Sequence, residues 1–318
     1  MSGAMCAGTT LCAGCPHPDH RSVTSMCGFV RCPRFYYWSR VLGLEKPSTV
    51  RELAMRGGAG VHAAAPWTHM QNRVQALEAF NAVWLDGDDY GDKKRTRAVF
   101  TAVIDEMLRV HDEDCPYVPL PRHEVCSGNP TNDALNEIEF DVDLGLSRPV
   151  TGFVDCIGRD KARGTLSVVE YKTATQIWSS FADLFSLSPQ ILTYVLATKA
   201  MGLDVDWAYI EGILVAATRA SVMMVPMETS DGALDATLRW WRKHDLDLLA
   251  CESIDPDGTD PERWRMELSG CNPYASFGIQ GWQCEFEPLC QAGDGWESLR
   301  ELYRVKDRTI NAAEGDEV

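Results

Sequence analysis

The sequence predicts an α/β (α+β) fold in which a central mixed β-sheet is flanked by helices. Apolar residues recur with helical spacing through the first half of the chain, whereas the middle changes to the alternation and β-branched richness of strands. One helical segment interrupts those strands. A strand, strand, strand, helix, strand order implies a mixed sheet with helices packed on it.

Each element can be placed from its own spacing. Helical periods in the first half fall at 32–44, 49–65, 68–85 and 93–111. Strand-like segments in the middle fall at 137–144, 150–158, 165–173, 207–216 and 221–227. The helix at 188–201 begins with Ser188 as N-cap and Pro189 at its first position. A long helix, a Pro- and Gly-rich segment with cysteines, and a final amphipathic helix follow at 231–251, 254–293 and 295–305.

Composition narrows the classes of function. With 318 residues, 45% of them hydrophobic, the chain can bury a sizeable core. No apolar run is long enough to cross a membrane, and the first residues lack the basic region and apolar core of a signal peptide. We therefore expect a cytoplasmic protein with no membrane partner.

The charge balance limits how this chain could bind nucleic acid. There are 30 Lys and Arg against 46 Asp and Glu, a formal net charge of -16, which argues against a protein that coats nucleic acid over its whole surface. Any DNA contact must be local, for example at 31–40 or 93–97, where basic residues cluster. The aromatic residues of 31–40 could stack on unpaired bases, or they could lie in the core on one side of a helix.

The segment 151–173 predicts two strands joined by a short polar loop, with Asp155 on the first strand and Glu170 and Lys172 on the second. Side chains alternate along a strand, so Glu170 and Lys172 share a face and Tyr171 points to the other. Two carboxylates can hold a divalent cation, and a neighbouring lysine can position water or stabilise charge on a phosphate. The alternative is a surface hairpin with a weak ion pair.

Two further patterns flank this segment. Gln190 and Tyr194 are four residues apart on one helical face, where an amide and a phenol can hydrogen-bond a phosphate backbone. Upstream, His62 follows a glycine-rich stretch, and those glycines would let the helix approach a sheet or a metal closely. Alone, Gln-x-x-x-Tyr is usually explained by a half-buried amphipathic helix, and a lone histidine of this kind is more often a structural residue than a ligand.

Together these patterns resemble RecB-type nucleases of the PD-(D/E)XK superfamily. The resemblance rests on four motifs in order, namely Gly-x-x-x-His ending at His62, Gly-x-x-Asp ending at Asp155, Glu-x-Lys from Glu170 to Lys172, and Gln-x-x-x-Tyr from Gln190 to Tyr194. The segment CPRFYYWSRVLGL at 32–44 is similar to the first helix of the iron–sulfur branch of that family. That branch includes CRISPR adaptation exonucleases and the nuclease domains of recombination helicases.

The resemblance implies a restriction-endonuclease-like core and a metal-dependent DNA exonuclease acting on single strands or DNA ends. Such an exonuclease would act in recombination, repair, replication or CRISPR-type adaptation, with a helicase, recombinase or integrase as its partner. The implied ligands of Mg²⁺ or Mn²⁺ are His62, Asp155, Glu170 and the backbone carbonyl of Tyr171. A noncatalytic DNA-binding or adaptor protein that keeps the nuclease fold is the alternative.

The remaining roles follow from the same resemblance. Lys172 would position the attacking water or neutralise the transition state. Gln190 and Tyr194 would orient DNA and the catalytic face. Either Glu137 or Glu139, on the strand before Asp155, would supply a further carboxylate.

Twelve cysteines are many for a protein of a reducing compartment, where they are more often metal ligands or buried apolar groups than disulfides. The resemblance implies a 4Fe-4S cluster that closes the C-terminal segment on the N-terminal helical region, with Cys32, Cys271, Cys284 and Cys290 as its ligands. Twelve residues separate Cys271 from Cys284, where the family usually has two. Cys27 or Cys251 could therefore replace Cys271, and zinc could replace the cluster.

Three segments divide the chain. A loop-rich head at 1–24 precedes the nuclease domain at 25–308, and an acidic tail occupies 309–318. The head could bind zinc with tetrahedral ligation, helped by Cys6 or Cys27, or it could be a loose tail. Its candidate ligands are Cys12, Cys15, His17 and His20.

Overall fold

The computed structural model describes residues 18–47, 49–85, 88, 95–125, 137–177, 181–271 and 284–305. The acidic tail and all of the head before residue 18 lie outside these residues. The chain forms two compact units. Unit 1 comprises Met1–Pro47, Asp143–Thr151 and Leu238–Glu317, and unit 2 comprises Ser48–Val142, Gly152–Thr237 and Val318.

The described helices are α1 Val23–Arg31, α2 Pro33–Tyr36, α3 Thr49–His69, α4 Arg73–Val83, α5 Arg97–Glu113, α6 Arg122–Val125, α7 Pro189–Ala200, α8 Asp231–Ile254, α9 Leu268–Cys271 and α10 Glu287–Ala292. The described strands are β1 Leu44–Glu45, β2 Tyr117–Pro119, β3 Ile138–Val142, β4 Val150–Val154, β5 Cys156–Asp160, β6 Leu166–Ala174, β7 Val205–Ala216, β8 Arg219–Glu228 and β9 Arg304–Val305. None of the described helices is both long and apolar enough to span a membrane.

A five-stranded mixed sheet in the order β2-β5-β6-β7-β8 forms the centre of unit 2. Strands β6 and β7 are parallel, joined by α7, whereas the other neighbours are antiparallel. Helices α3 and α5 pack against β6 and β7, and α7 packs against the same two strands and β3. The predicted mixed sheet flanked by helices is therefore confirmed.

Helix α3 packs closely on its helical neighbours because it carries glycine where their aromatic rings come nearest. A Cβ atom at Gly57 would lie 2.3 Å from the Phe100 ring of α5, and one at Gly60 would lie 2.6 Å from the Phe80 ring of α4. Both rings are fully buried in the core. Gly57 and Gly60 therefore allow the close approach of neighbouring helices, whereas the sequence had predicted the approach of a sheet or a metal.

The predicted strand at 150–158 is interrupted. The chain bends at Asp155, which separates β4 from β5, and these two strands belong to different sheets. The Asp155 carboxylate accepts the N–H of Tyr171 at 2.7 Å, and its carbonyl accepts the N–H of Glu137 at 2.9 Å. The alternation of side chains had predicted Asp155 on a strand. In the structure, Asp155 lies instead at the junction between two strands.

Three predicted helices also change. The segment 32–44 forms α2, a π-helical turn at Tyr37–Val41 and β1. Helix α3 runs on to His69 through Pro66, and α4 begins only at Arg73, after Asn72 caps it through the N–H of Gln75. The final segment forms a 3₁₀ helix at Gly293–Leu302 and then β9, which pairs with β1. The last helix is therefore followed by a strand whose pairing with β1 cannot be predicted from the periodicity of the sequence.

Unit 1 is organised around a buried arginine and aromatic side chains. Arg21 donates to Asp245 at 2.9 Å and to Glu252 at 2.8 Å, and all three side chains are almost fully buried. The aromatic residues of 31–40 pack inward, with Tyr36 stacked on Trp264. The side chains of Tyr36, Tyr37 and Trp38 are at most 1% exposed, so the core interpretation holds for them and stacking on unpaired bases does not.

Candidate active site

Asp155 is held from two sides in unit 2. His62, which α3 carries, places Nδ1 3.4 Å from Asp155 Oδ1, while the β6 backbone donates to Oδ2 through Tyr171. Burial opposes ionisation of this carboxyl, but the neighbouring His62 and Lys172 outweigh it and lower the pKa of Asp155. The group is thus a carboxylate at neutral pH, with a fixed orientation.

Glu170 lies on the central strand β6 and is only 2% exposed. Its Oε1 accepts from Lys172 Nζ at 2.6 Å, but its Oε2 is buried without a hydrogen-bond partner in the described residues. Burial and the nearby Asp155 carboxylate raise the pKa of Glu170 to about 8, in spite of the ammonium beside it. A buried carboxylate oxygen without a partner is costly, and a cation at this place would remove the cost.

Lys172 connects the acid to the helix α7. Its ammonium also donates to Gln190 Oε1 at 3.1 Å, and Gln190 Nε2 donates to Tyr194 Oη at 2.9 Å. Tyr194 is itself fixed, because its ring meets Phe140 of β3 edge to face. Glu170, Lys172, Gln190 and Tyr194 therefore form one hydrogen-bonded chain.

The side chains thus follow the alternation predicted for β6. Glu170 and Lys172 pair on one face, and the ring of Tyr171 joins the core on the other. The two candidates for a further carboxylate, Glu137 and Glu139, are both exposed. Glu137 has a positive φ of 54° and donates its backbone N–H to the carbonyl of Asp155. Its backbone is therefore hydrogen-bonded to the residue that separates β4 from β5.

Sequence reasoning missed a second group of polar side chains. His69 of α3, His111 of α5 and Glu211 of β7 each place one potential ligand atom within 4.8 Å of the others. Glu211 is fully buried, with oxygens 2.9 Å from His111 Nε2 and 2.8 Å from Tyr117 Oη. Burial and the nearby His111 lower the pKa of His69 to about 3. A charged residue in the apolar strand 207–216 was the signal that could have revealed this group.

The four predicted cysteine ligands all lie in unit 1 and act on one another electrostatically. Burial raises the pKa of the Cys271 and Cys284 thiols, and the nearby Cys32 and Cys290 raise both further. Burial raises the pKa of the Cys284 thiol to about 12. Of the two proposed substitutes, Cys27 is exposed, and Cys251 is half-buried with a thiol pKa raised mainly by that burial.

Two of these sulfur atoms receive N–H donors. Cys32 Sγ accepts from the backbone of Glu267, and Cys290 Sγ accepts from Trp38 Nε1, each at 3.4 Å. Of the candidate zinc ligands in the head, only His20 lies within the described residues. His20 is exposed, and its Nδ1 is 2.9 Å from Asp19 Oδ1.

A mixed sheet flanked by helices, with Asp155 between β4 and β5 and with Glu170 and Lys172 on β6, is consistent with the restriction-endonuclease-like fold. The sequence profile of the PD-(D/E)XK nuclease superfamily matches residues 20–291, and the chain belongs to that superfamily. The matched range contains every residue of the candidate active site. The superfamily implies hydrolytic nuclease activity with DNA as substrate.

A solved structure from Eubacterium rectale, named "Putative exonuclease", is similar to this chain with a TM-score of 0.43 and 11% sequence identity. The similarity covers 75% of this chain and 82% of that one. No curated protein matches the sequence significantly.

Proposed function

We propose that this protein is a metal-dependent DNA exonuclease of the RecB type that acts on single strands or DNA ends. The observation that carries the proposal is the buried Glu170 Oε2, which has no hydrogen-bond partner in the described residues and lies in a site that also holds Asp155. Evolved proteins rarely leave such an oxygen unsatisfied, and oxygen ligands of this kind suit Mg²⁺ or Mn²⁺.

The residues that would hold the metal are His62, Asp155, Glu170 and the backbone carbonyl of Tyr171. When bound, the ion would polarise the phosphodiester and lower the pKa of an attacking water. The pair His62 and Asp155 supports this assignment because the imidazole orients one carboxylate oxygen while the Tyr171 N–H orients the other. Two carboxylates held in this way need little rearrangement to accept a cation.

Lys172 is proposed to act on the water or on the phosphate. Its ammonium is partly exposed and is held in place by Glu170 Oε1 and Gln190 Oε1. Gln190 is oriented in turn by Tyr194. A charge fixed before the reaction stabilises a transition state more effectively than one that must reorganise.

We further propose that Cys32, Cys271, Cys284 and Cys290 hold a 4Fe-4S cluster that fastens the N-terminal helical region of unit 1 to its C-terminal segment. The N–H donors to Cys32 and Cys290 support this, since such bonds are typical of cluster ligands, as does the proximity of Cys32 and Cys290 to Cys271 and Cys284.

The resemblance to the iron–sulfur branch supports a role in recombination, repair, replication or CRISPR-type adaptation. The partner there would be a helicase, a recombinase or an integrase. The cluster would be structural in such a setting. Iron, sulfide and zinc analysis of protein purified without oxygen tests it. We expect about four iron atoms per chain in the wild type and a large loss in Cys32→Ser, whereas zinc alone would contradict the cluster.

Nuclease activity is tested with Lys172→Ala and a matched control, Lys199→Ala. Lys199 is also a partly exposed lysine in unit 2, but it pairs with Asp206 away from the proposed site. With Mn²⁺ and labelled single-stranded DNA, we expect the first variant to lose nucleotide release and the control to keep it. DNA binding without cleavage by the wild type, with every metal supplied, would instead indicate the noncatalytic adaptor.

A further inference from the structure

Phe181 lies beside the candidate active site, on the face of the sheet that carries Lys172. Gly212 of β7 is the register partner of Lys172 on β6, and register partners on neighbouring strands face the same side of a sheet. A Cβ atom at Gly212 would lie 2.7 Å from the Phe181 ring. The ring of Phe181 therefore lies where a side chain at position 212 would be, next to the proposed catalytic lysine.

Phe181 anchors residues 181–188, which we call the apolar loop. Phe181 is 4% exposed, and the half-buried ring of Phe185 meets it edge to face, with the ring centroids 5.1 Å apart. Two backbone hydrogen bonds close turns in the loop, from the N–H of Leu184 to the carbonyl of Phe181 and from the N–H of Ser188 to the carbonyl of Phe185. The aromatic pair and the two turns hold the apolar loop in one conformation against the sheet.

Two leucine side chains of the apolar loop point away from this packing. Leu184 is 60% exposed and Leu187 is 73% exposed. Leu187 is three residues before Gln190, so the Cα atoms of these two residues lie within about 11 Å of each other. Gln190 in turn accepts from the ammonium of Lys172. An exposed apolar patch this close to a candidate active site indicates a surface that contacts substrate.

The charge of this part of the chain indicates which part of DNA it can contact. Residues 173–190 contain no Lys or Arg, and their one charged residue is Asp183. Such a segment cannot neutralise phosphates, which is how proteins bind the DNA backbone. It can contact bases, because the flat faces of bases stack on aromatic rings and because leucine and phenylalanine side chains insert between bases.

We propose that Leu184, Phe185 and Leu187 bind unpaired bases of the DNA strand that is cleaved at Lys172. This inference rests on the proposed function, since it takes DNA as the substrate of that site. In a duplex the faces of each base are covered by its neighbours, so the apolar loop selects single strands and frayed ends. The loop would therefore supply the preference for substrate, whereas the carboxylates and the lysine supply the chemistry.

The test compares two single-stranded oligonucleotides of equal length and equal phosphate backbone. One carries thymine at every position, and the other carries a tetrahydrofuran abasic residue at every position. Fluorescence anisotropy with the full-length protein, in Ca²⁺ and without Mg²⁺ or Mn²⁺, measures both dissociation constants without requiring cleavage. We expect the wild type to bind the thymine strand about tenfold more tightly than the abasic strand or better.

The double variant Leu184→Ser with Leu187→Ser should lose most of this preference and bind the abasic strand as the wild type does. Both leucines are exposed, so the double variant should keep the melting temperature of the wild type. Leu85→Ser is the matched control, because Leu85 is a 55% exposed leucine of unit 2 that follows α4. The control should keep the full preference for the thymine strand.

A double variant with the wild-type preference, or a wild type that does not prefer the thymine strand, would overturn the inference. The leucines would then be a surface for a protein partner. Cleavage is measured separately with Mn²⁺, which distinguishes this failure from that of the proposed function. A base preference without cleavage would refute the nuclease and support the base contact, whereas cleavage without a base preference would refute the base contact and support the nuclease.

Discussion

Replacing Glu170 by Gln should stabilise the metal-free protein while removing its capacity for the catalytic metal. The substitution keeps the shape of the side chain and an oxygen for Lys172, but it removes a charge that is buried at 2% exposure. The pKa of the Glu170 carboxyl rises from 4.5 to about 8. Ionisation of Glu170 at neutral pH therefore opposes folding when no cation is present.

The magnitude follows from proton linkage. Since the pKa is raised in the folded state, the stability contributed by the protonated carboxyl is complete below about pH 4.5 and is lost as pH rises through about 8. Relative to wild type, Glu170→Gln should gain up to about 3 kcal/mol at pH 7 but under about 1 kcal/mol at pH 5. The lost ion pair with Lys172 offsets part of this gain, although the partly exposed ammonium limits that loss.

The assay is urea unfolding followed by tryptophan fluorescence, with EDTA or with Mn²⁺, at both pH values. Groups remote from Glu170 titrate equally in the two proteins and cancel in the difference, whereas Asp155 gains stability in the variant because it loses a like charge. Mn²⁺ at about 100 times its dissociation constant should stabilise wild type by about 2.7 kcal/mol and leave the variant nearly unchanged. If the variant is less stable than wild type in EDTA at pH 7, the ionised pair is stabilising and the argument from the unpaired oxygen is refuted.

Three other substitutions test separate parts of the structure. Gly57→Ala places a Cβ atom 2.3 Å from the Phe100 ring and should destabilise unit 2 by about 1–3 kcal/mol, measured by thermal melting. Arg21→Met leaves the buried Asp245 without its cation and Glu252 with Arg148 alone, and it should cost unit 1 about 3 kcal/mol in urea unfolding. Gln190→Leu removes one acceptor of the Lys172 ammonium and should lower kcat about tenfold or more, because a hydrogen bond to a charged group contributes about 1.5–3 kcal/mol.

Each of these has a clear contrary result. An unchanged melting temperature for Gly57→Ala would show that α3 and α5 can separate without cost. Wild-type stability in Arg21→Met would mean that the two carboxylates take up protons or water instead. For Gln190→Leu, unchanged kcat would remove Gln190 from the machinery that positions Lys172.

The alternation of side chains made the centre of the site predictable. Glu170 and Lys172 are two residues apart on a strand, so their shared face follows from strand geometry alone, and Tyr171 had to point into the core. Gln190 and Tyr194 are likewise neighbours on α7 by helical spacing. These local relations need no knowledge of the tertiary structure.

Relations that depend on tertiary contacts were not predictable in the same way. The bend at Asp155 arises because its carboxylate takes the N–H of Tyr171, sixteen residues later in the chain. Helix α3 continues past its predicted end, which brings His69 to a histidine 42 residues away. Strands as short as β1 and β9 carry no periodicity, and only their pairing defines them.

The cysteines show the same contrast between local spacing, which the sequence gives, and tertiary contacts, which it does not. Sequence spacing does not decide whether Cys271, Cys27 or Cys251 is the fourth predicted cluster ligand. The free energy of loop closure depends only weakly on loop length, so the twelve residues between Cys271 and Cys284 do not exclude Cys271. In the structure, the nearby Cys32 and Cys290 contribute to the raised pKa of the Cys271 thiol, whereas Cys27 is exposed.

The central claim is a nuclease site in which Asp155 helps to hold the catalytic metal. Its most direct test is nucleotide release from end-labelled single-stranded DNA by wild type, Asp155→Asn and the exposed control Asp206→Asn, with Mn²⁺ binding measured on the same samples. We predict metal-dependent release by wild type and the control, and loss of both release and Mn²⁺ binding in Asp155→Asn. Release at the wild-type rate by Asp155→Asn would contradict the claim.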